Sequence, residues 1–374
     1  MNVAVIAGTR PEIIRVAVLI KELQKTKIDF SFILTGQHYD FNMCGIFIKE
    51  LGLPEPDFKL EYKGQTHAEH MAAMMPFLEK VFSENLYDVV FDQGDTNSTL
   101  SAALAAVKIH IPVAHIEAGN RCYDLNRPEE VNRTIVDHIS SLLFAQSEDT
   151  KQNLLKEGLP ESRIHVTGNT VIDSCYEFRE AAKSSASIFK KINTKNYILV
   201  TLHRAETVDH KDKLEEFVKT IAKMADTCDV VFPIHPRTVK MLEKFGLQKT
   251  LDKKSIHIIE PVGYFDFLVF LDNATLLLTD SGGALKEATA YKIPTIIYAD
   301  KWADTEGKDI FWKLSGYSGK SILDLSAKMM LPEFKKSLES LQSPFGDGSS
   351  SKRMIEITKK YCEAGKLKVP EAKT

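Results

Sequence analysis

Cysteine is scarce in this sequence and poorly placed for cross-linking. The 374 residues contain five cysteines, an odd number without any C-x-x-C pair: Cys44, Cys122, Cys175, Cys228 and Cys362. Domains that depend on disulfides usually carry even numbers of cysteines at regular spacing, so this pattern predicts reduced thiols. We therefore expect the five side chains to be inert and partly buried.

Long apolar runs are also absent. Apolar stretches such as Leu276–Leu278 and Tyr197–Val200 fall far short of the roughly 18 residues that a membrane span requires. The opening segment Met1–Gly8 contains neither the basic region nor the small-residue cleavage site of a signal peptide. It predicts a buried strand, and the chain is expected to act in the cytoplasm.

No charge of one sign dominates the chain. The 48 Lys+Arg residues face 51 Asp+Glu residues, which gives a net charge of −3, and 44% of the residues are hydrophobic. This balance argues against a nucleic-acid-binding coat and against a disordered chain. The histidines form no H-E-x-x-H motif, and the pair His67 and His70 has no third ligand nearby. No nucleic acid, membrane or metal is therefore expected as a partner.

A regular βα rhythm is what the sequence does contain. Short β-branched runs alternate with stretches of helical period, which is typical of parallel sheets covered by helices. At about 150 residues per domain the length corresponds to two domains. We predict an α/β fold with two doubly wound domains, residues 1–178 and 188–351, whose strand ends face a central cleft. Arg179–Ser187 is the predicted linker, and residues 352–364 form a final amphipathic helix.

Two glycine-containing turns are candidate phosphate sites. Gly8-Thr9-Arg10-Pro11-Glu12 follows the first strand, and Arg10 adds a fixed charge beside the free amides of a helix start. Asp280-Ser281-Gly282-Gly283 follows a later strand, with Glu287 one turn further on and able to accept the hydroxyls of a ribose. Each pattern is also compatible with an ordinary capped turn between a strand and a helix.

Three carboxylates form the second candidate cluster. Asp95 and Glu117 each follow a predicted strand, and Glu129 lies in the first turn of a predicted helix that begins at Pro128. Clustered carboxylates shift one another's pKa values, which suits proton transfer to and from carbon. Four arginines are available to offset their charge: Arg10, Arg15, Arg121 and Arg133. A glutamate at the start of a helix is usually a complement to the helix dipole, and Glu129 taken alone has this explanation.

Two histidines end strands in the second half of the chain. His203-Arg204 and His235-Pro236-Arg237 each follow a predicted strand. A histidine titrates near neutral pH, so His203 is a candidate for catalysis. Either histidine could instead be a satisfied loop residue.

Taken together, these residues resemble the non-hydrolysing UDP-N-acetylglucosamine 2-epimerase family. The motifs that carry the resemblance stand in the family's order over roughly residues 1–300: Gly8-Thr9-Arg10-Pro11-Glu12, Gln37-His38-Tyr39, Gly94-Asp95-Thr96, His115-Ile116-Glu117-Ala118-Gly119, Pro128-Glu129-Glu130, Asn132-Arg133, Thr167-Gly168-Asn169-Thr170, His203-Arg204, His235-Pro236-Arg237 and Asp280-Ser281-Gly282-Gly283.

The resemblance implies a fold and a reaction. The fold is two Rossmann-like domains of the GT-B type, with the last helix packed on the first domain and a homodimer as the usual assembly. The reaction inverts C2 of a UDP-2-acetamido sugar without a metal, a nicotinamide or any other cofactor. UDP leaves as the C2 proton is removed, and it returns to the resulting 2-acetamidoglycal as the opposite face is protonated.

The resemblance also implies roles for individual residues. Asp95, Glu117 and Glu129 are the acid/base carboxylates, and His203 and Arg10 assist the departure of UDP. The residues expected to bind the phosphates, the ribose, the uracil and the rest of the substrate are Arg15, Arg133, His235, Arg237, Phe267, Ser281, Gly282, Gly283 and Glu287.

The sequence departs from the family pattern after Pro294. The family usually has Thr-Glu-Arg-Pro-Glu there, with an arginine that reaches the diphosphate, whereas this chain has residues 300–308 of different sequence. Lys301 and Lys308 are the candidates for supplying that charge. Asn120-Arg121-Cys122-Tyr123-Asp124 looks more like family branches that act on modified sugars, such as a UDP-2,3-diacetamido uronate or a UDP-6-deoxy-L-hexosamine. A glycosyltransferase, a non-catalytic UDP-sugar-binding protein and a hydrolysing epimerase are the alternatives.

Overall fold

The computed structural model describes residues 1–36, 41–62, 64, 66–185, 188–189, 192, 194 and 196–370. The chain divides into two compact units. The first comprises Met1–Ser174 with Phe345–Thr374, and the second comprises Cys175–Pro344. The Gln37-His38-Tyr39 motif lies outside the described residues.

The first unit is built on a seven-stranded parallel sheet with the order β3-β2-β1-β4-β5-β6-β7. The central strands are buried on both faces, which is why they appear in the sequence as continuous apolar runs. The seven strands are β1 Asn2–Ala7, β2 Asp29–Leu34, β3 Phe58–Lys59, β4 Val89–Gln93, β5 Val113–Ala118, β6 Leu142–Ala145 and β7 Ile164–Val166.

Helices connect these strands and cover the sheet. They are α1 Arg10–Thr26, α2 Phe41–Glu50, α3 His67–Asn85, α4 Asn97–Lys108, α5 Pro128–Ile139, α6 Glu148–Lys156, α7 Thr170–Ser185, which continues into the second unit, and the last helix of the chain, Ser350–Glu363. This last helix packs against α1. Asp173 holds its start, because the carboxylate accepts the amides of Ser350 at 3.0 Å and Ser351 at 2.6 Å.

The second unit repeats the architecture with six parallel strands in the order β10-β9-β8-β11-β12-β13. The strands are β8 Tyr197–Thr201, β9 Asp229–Pro233, β10 Ile256–Ile259, β11 Leu276–Thr279, β12 Thr295–Ile297 and β13 Trp312–Leu314. The helices are α8 Ala205–Val208, α9 Lys211–Met224, α10 Pro236–Phe245, α11 Tyr264–Asp272, α12 Gly282–Ala290, α13 Gly319–Met329 and α14 Pro332–Glu339, and the last helix of the chain is α15.

The predicted α/β class with two Rossmann-like parallel sheets is confirmed. In each sheet the strand order reverses beside the first strand, between β1 and β4 in one unit and between β8 and β11 in the other. Such reversals open a crevice at the carboxyl ends of the strands, where open α/β sheets bind their ligands. The turns after these four strands are therefore the places to look for a site.

The linker predicted at Arg179–Ser187 is wrong for residues 179–185, which continue α7. Ala182 is buried there, and Arg179 pairs with Asp272 at 2.6 Å. The Glu-Ala-Ala-Lys segment has strong helix propensity, and these contacts fix it despite its polar composition. In the described part of the chain, no helix is both long and apolar enough to cross a membrane.

Candidate active site

The turn between β1 and α1 is closed by its own side chains. Gly8 is required because a Cβ atom there would lie 1.9 Å from the Ser98 hydroxyl oxygen. Thr9 caps α1, and the Glu12 carboxylate accepts the amides of Gly8 and Thr9, both at 2.7 Å. The other Glu12 oxygen accepts the Thr96 hydroxyl at 2.6 Å, which ties this turn to the start of α4. Burial, the largest influence, raises the pKa of Glu12 above its ordinary value.

Arg10 begins α1 beside this capped turn. Its guanidinium carbon lies 4.6 Å from the centre of the Phe47 ring, a cation–π contact that positions the side chain. The motif therefore forms a capped turn and also presents a charged group. Its role as a cap is compatible with its predicted role as a phosphate site.

Glu117 is the most constrained carboxylate of the first unit. It interrupts the pairing of β5 with β6 at a bulge, and its φ of 69° lies in the left-handed region that favours glycine. Arg15 donates to one carboxylate oxygen at 2.7 Å, and Gln93 donates to the same oxygen. Asn169 donates to the other oxygen at 2.6 Å. Three donors, one of them charged, therefore fix the orientation of this buried side chain.

Asp95 lies after the neighbouring strand β4 and is held by α5. Its carboxylate pairs with the Arg133 guanidinium, and its carbonyl accepts the Asn132 side-chain amide at 2.9 Å. The side chain keeps 32% of its surface exposed, whereas that of Glu117 keeps 5%. Asp95 thus remains open to a ligand, while its position is fixed by α5.

The two glutamates in the first turn of α5 differ in their surroundings. Glu129, predicted to be an acid/base group, is exposed, and it lies four residues before Arg133 and so on the same helix face. Glu130 is buried and accepts the amides of Cys122 at 3.1 Å and Tyr123 at 2.8 Å. Glu130 therefore organises the loop after β5, and Glu129 remains available for a ligand.

Replacement of Glu130 with glutamine is expected to lower the free energy of unfolding by about 1.5–3 kcal/mol at pH 7, because hydrogen bonds to a charged group are lost. Burial alone would raise the pKa of Glu130, but the amides of Cys122 and Tyr123, with Arg133, outweigh it and lower the pKa below 4.5. This stabilisation is present above pH 4.5 and is lost as the pH falls through the folded-state pKa. Urea unfolding of both proteins between pH 7 and pH 4 measures the difference; a gap that widens on acidification contradicts the assignment.

A chain of buried charged groups lies behind β5. One His115 ring nitrogen hydrogen-bonds Asp92 at 2.8 Å, and the other lies 3.6 Å from Asp137. Arg121 makes ion pairs with Asp137 and with Glu157, each at 2.7 Å. Burial would lower the pKa of His115, but the Asp92 carboxylate and its other acidic neighbours outweigh it and raise the pKa. Since His115 lies two residues before Glu117, this chain supports the backbone that carries the candidate catalytic carboxylate.

In the second unit, Asp280 organises the turns at the ends of β8 and β11. Its buried carboxylate accepts the amides of His203 at 3.1 Å and Arg204 at 2.9 Å. The His203 ring nitrogen Nδ1 lies 3.4 Å from the same carboxylate, and the His203 and His235 rings are 5.6 Å apart. The His203 side chain is 42% exposed, so it combines a fixed orientation with access to a ligand.

The Ser281-Gly282-Gly283 segment forms the start of α12, as predicted. Ser281 caps the helix by accepting the Ala284 amide at 3.4 Å. The first amides of a helix have no partner within it, so those of Gly282 and Gly283 are suited to bind an anion. Glu287 is half-buried one turn further along the same helix.

The remaining predicted binding residues differ in their contacts. Arg237 makes a bidentate ion pair with Asp209 at 3.0 and 2.5 Å. A substrate bound by Arg237, as predicted, would have to share its guanidinium group with the Asp209 carboxylate. His235 caps α10 by accepting the Arg237 amide at 3.1 Å. Phe267 is half-buried on α11.

Sequence reasoning gave no role to several residues that the structure places at these sites. Gln93 and Asn169 bind Glu117, and Asp280 orients His203. These three residues lie at the carboxyl ends of β4, β7 and β11. Polar residues at the carboxyl ends of parallel strands lie along one edge of their sheet, so this position could have identified them as site residues.

The fold and these turns define an α/β protein of the class that binds nucleotides at the carboxyl ends of Rossmann-like sheets. The family model for UDP-N-acetylglucosamine 2-epimerase matches residues 21–359. The chain belongs to this family.

Individual relatives match over nearly the whole length. A UDP-N-acetylglucosamine 2-epimerase of Methanocaldococcus jannaschii is 42% identical over 96% of this chain and 98% of its own. The crystal structure of M. jannaschii UDP-GlcNAc 2-epimerase in complex with UDP-GlcNAc and UDP has a TM-score of 0.85 at 41% identity, covering 96% of this chain and all (100%) of that one. A Pseudomonas aeruginosa UDP-2,3-diacetamido-2,3-dideoxy-D-glucuronate 2-epimerase is 34% identical over 96% of this chain and 100% of its own.

Proposed function

We propose that this protein inverts C2 of a UDP-2-acetamido sugar, most simply converting UDP-N-acetylglucosamine to UDP-N-acetylmannosamine. The observation that carries the proposal is the Glu117 carboxylate, buried and held by three donors next to the strand that presents Asp95, in a chain of this epimerase family. A buried carboxylate in such a setting is costly as scaffolding alone and is suited to proton transfer.

The proposed chemistry needs two acid/base groups. One carboxylate removes the C2 proton while the bond from C1 to the diphosphate oxygen breaks, and the electron pair of that bond leaves with UDP. The sugar is then a 2-acetamidoglycal with a double bond between C1 and C2. A diphosphate oxygen of UDP re-forms the bond to C1 as a second acid protonates C2 on the opposite face, so no atom is gained or lost. We assign these proton transfers to Glu117, Asp95 and Glu129.

The second unit supplies groups that favour the departure of UDP in this proposal. The amides at the start of α12 and the exposed, Asp280-oriented His203 suit the charge that develops on the diphosphate. Arg10 is assigned the same task in the first unit. Arg15 and Arg133 hold the two carboxylates, and Glu287 and Phe267 are assigned to the ribose and the uracil.

A modified sugar is the second candidate substrate. It is favoured by the 34% identity to the P. aeruginosa 2-epimerase named for a diacetamido uronate, and by the segment Asn120–Asp124. The chemistry at C1 and C2 is the same for both sugars, so the two candidates differ only in the groups that contact C3, C5 and C6.

The test is incubation of the purified protein with a panel of UDP-2-acetamido sugars in deuterated water. We expect deuterium to enter C2 of at least one sugar, in step with the appearance of its C2 epimer, and UDP to stay bound to the sugar at equilibrium. Free UDP that accumulates with the product identifies a hydrolysing epimerase instead. Binding without exchange for every sugar identifies a non-catalytic binding protein. A cytoplasmic homodimer is part of the same proposal, and light scattering of the purified protein measures its assembly.

A further inference from the structure

The segment after β12 carries one of the two tryptophans of the chain, Trp302. This is the segment in which the sequence departs from the family pattern. Lys301 and Lys308, the predicted sources of positive charge, are both exposed. Trp302 instead packs against the apolar cluster of the second unit that contains Leu285 and Ile297, so its ring has a fixed place.

The Trp302 ring contacts both a cation and the start of α12. The Arg204 guanidinium carbon lies 4.7 Å from the ring centre. A Cβ atom built on Gly282 would lie 3.6 Å from Cζ2 of the same ring. One aromatic side chain thus links Arg204 to the helix start that the proposed function assigns to the diphosphate.

The start of α12 and the Arg204 guanidinium both lie against the Trp302 ring. A helix N-terminus attracts anions, as an arginine does, so the two groups favour the same kind of ligand. Two carboxylates of this region have other partners: Asp280 accepts backbone amides, and Asp304 pairs with Lys286 at 3.2 Å. Within the described residues, the Arg204 guanidinium has no carboxylate partner.

The indole nitrogen of Trp302 shows that a hydrogen bond does not hold the ring in place. It is buried, and no acceptor for its N–H group exists in the described parts of the chain. The position of the ring is therefore not explained by a hydrogen bond of its own. A ring face also leaves the guanidinium N–H donors available for an anion, because it accepts hydrogen bonds only weakly.

We infer that Arg204, positioned by Trp302, binds the diphosphate of the nucleotide sugar at the start of α12. Arginine suits this task because its planar fork can donate two parallel hydrogen bonds to phosphate oxygens. The inference rests on the proposed function for the identity of the ligand. In the family pattern, an arginine after Pro294 supplies positive charge to the diphosphate. We assign that charge to Arg204 here, and not to Lys301 or Lys308.

Calorimetric titration of the full chain with UDP and with uridine tests this inference, because only UDP carries the diphosphate. We expect Arg204→Gln to weaken UDP binding by about 10- to 100-fold and to leave uridine binding unchanged. Lys335→Gln, which removes an exposed charge on α14, is the matched control and should bind both ligands as the wild type does.

A double substitution separates positioning from a general structural role of Trp302. Trp302→Leu is expected to weaken UDP binding about tenfold in the wild type and to have no further effect in Arg204→Gln, since the guanidinium that it positions is then absent. UDP should also change the tryptophan fluorescence of the wild type but not of Trp302→Phe, because Trp312 is 1% exposed and donates to the Glu306 carbonyl at 2.8 Å.

Three outcomes would overturn the inference: equal loss of UDP and uridine binding in Arg204→Gln, additive losses in the double variant, or the loss of UDP binding in Lys301→Gln or Lys308→Gln instead. The C2 exchange assay on the same samples keeps the two proposals apart. Arg204-dependent UDP binding without exchange supports the inference and contradicts the proposed function, and exchange with Arg204-independent UDP binding does the reverse.

Discussion

Glu117→Gln is expected to slow C2 deuterium exchange by about 10²- to 10⁴-fold, the usual contribution of a positioned acid/base group. Glutamine keeps the size of the side chain but cannot accept the C2 proton. Its single amide oxygen can replace only one of the two carboxylate oxygens, so the NH2 group would face either Asn169 or the pair Arg15 and Gln93, donor against donor. The exchange rate in deuterated water, measured with saturating UDP-sugar, checks this result.

Two further variants make the result specific. Glu161→Gln removes an exposed glutamate that pairs only with Lys151 in the described contacts, and it should exchange at the wild-type rate. Glu117→Asp keeps the charge but shortens the side chain by one methylene, so its exchange should be slow and measurable. Exchange by Glu117→Gln within a few-fold of the wild type would remove this residue from the proposed mechanism. UDP affinity measured in each variant separates lost proton transfer from lost binding.

Arg121→Met is expected to lower the free energy of unfolding by about 3–5 kcal/mol, because it leaves a buried carboxylate without its charged partner. Arg121 is 5% exposed and joins Asp137, itself fully buried, to Glu157. Burial alone would lower the pKa of Arg121, but the carboxylates of Glu157 and Asp137 outweigh it and raise the pKa. The substitution removes the positive charge on which both carboxylates depend.

Chemical unfolding in urea measures this loss, with Arg127→Met as the control. Arg127 is 43% exposed at its side chain and lies 3.8 Å from the exposed Asp124, so its removal should change stability by about 0–1 kcal/mol. Equal shifts of the urea midpoint in the two variants would show that the buried chain of charges does not stabilise the first unit.

Much of the sheet architecture could be predicted from the sequence because buried parallel strands are continuous apolar runs. The strand at Asn2–Ala7 is the clearest case, since it is apolar over almost its whole length and opens directly into Gly8. β3 spans two residues, Phe58–Lys59, which is too short to produce a period. The end of α7 has the polar composition of a linker, and contacts such as Arg179 with Asp272 hold it as the helix that its Glu-Ala-Ala-Lys segment also favours.

The candidate site was predictable in part for a related reason. Asp95 follows β4 and Glu117 lies at the carboxyl end of β5, so the rule for carboxyl ends of parallel strands predicts that they lie close together. Asn169 binds Glu117 across 52 residues of sequence, and no local pattern encodes such a contact. The aromatic contact between Arg204 and Trp302 spans a still longer separation, so the sequence pointed to the lysines beside Trp302 instead.

The backbone conformation of Glu117 carries a cost in stability. A non-glycine residue in the left-handed region costs about 1–2 kcal/mol, and glycine alone adopts φ of 69° without that cost. The side chain offsets part of that cost, because it accepts from Arg15, Gln93 and Asn169, which glycine would leave without this acceptor. In a descendant that no longer carries out the proposed reaction, selection would no longer act on proton transfer, so residue 117 and its three donors would be expected to change together.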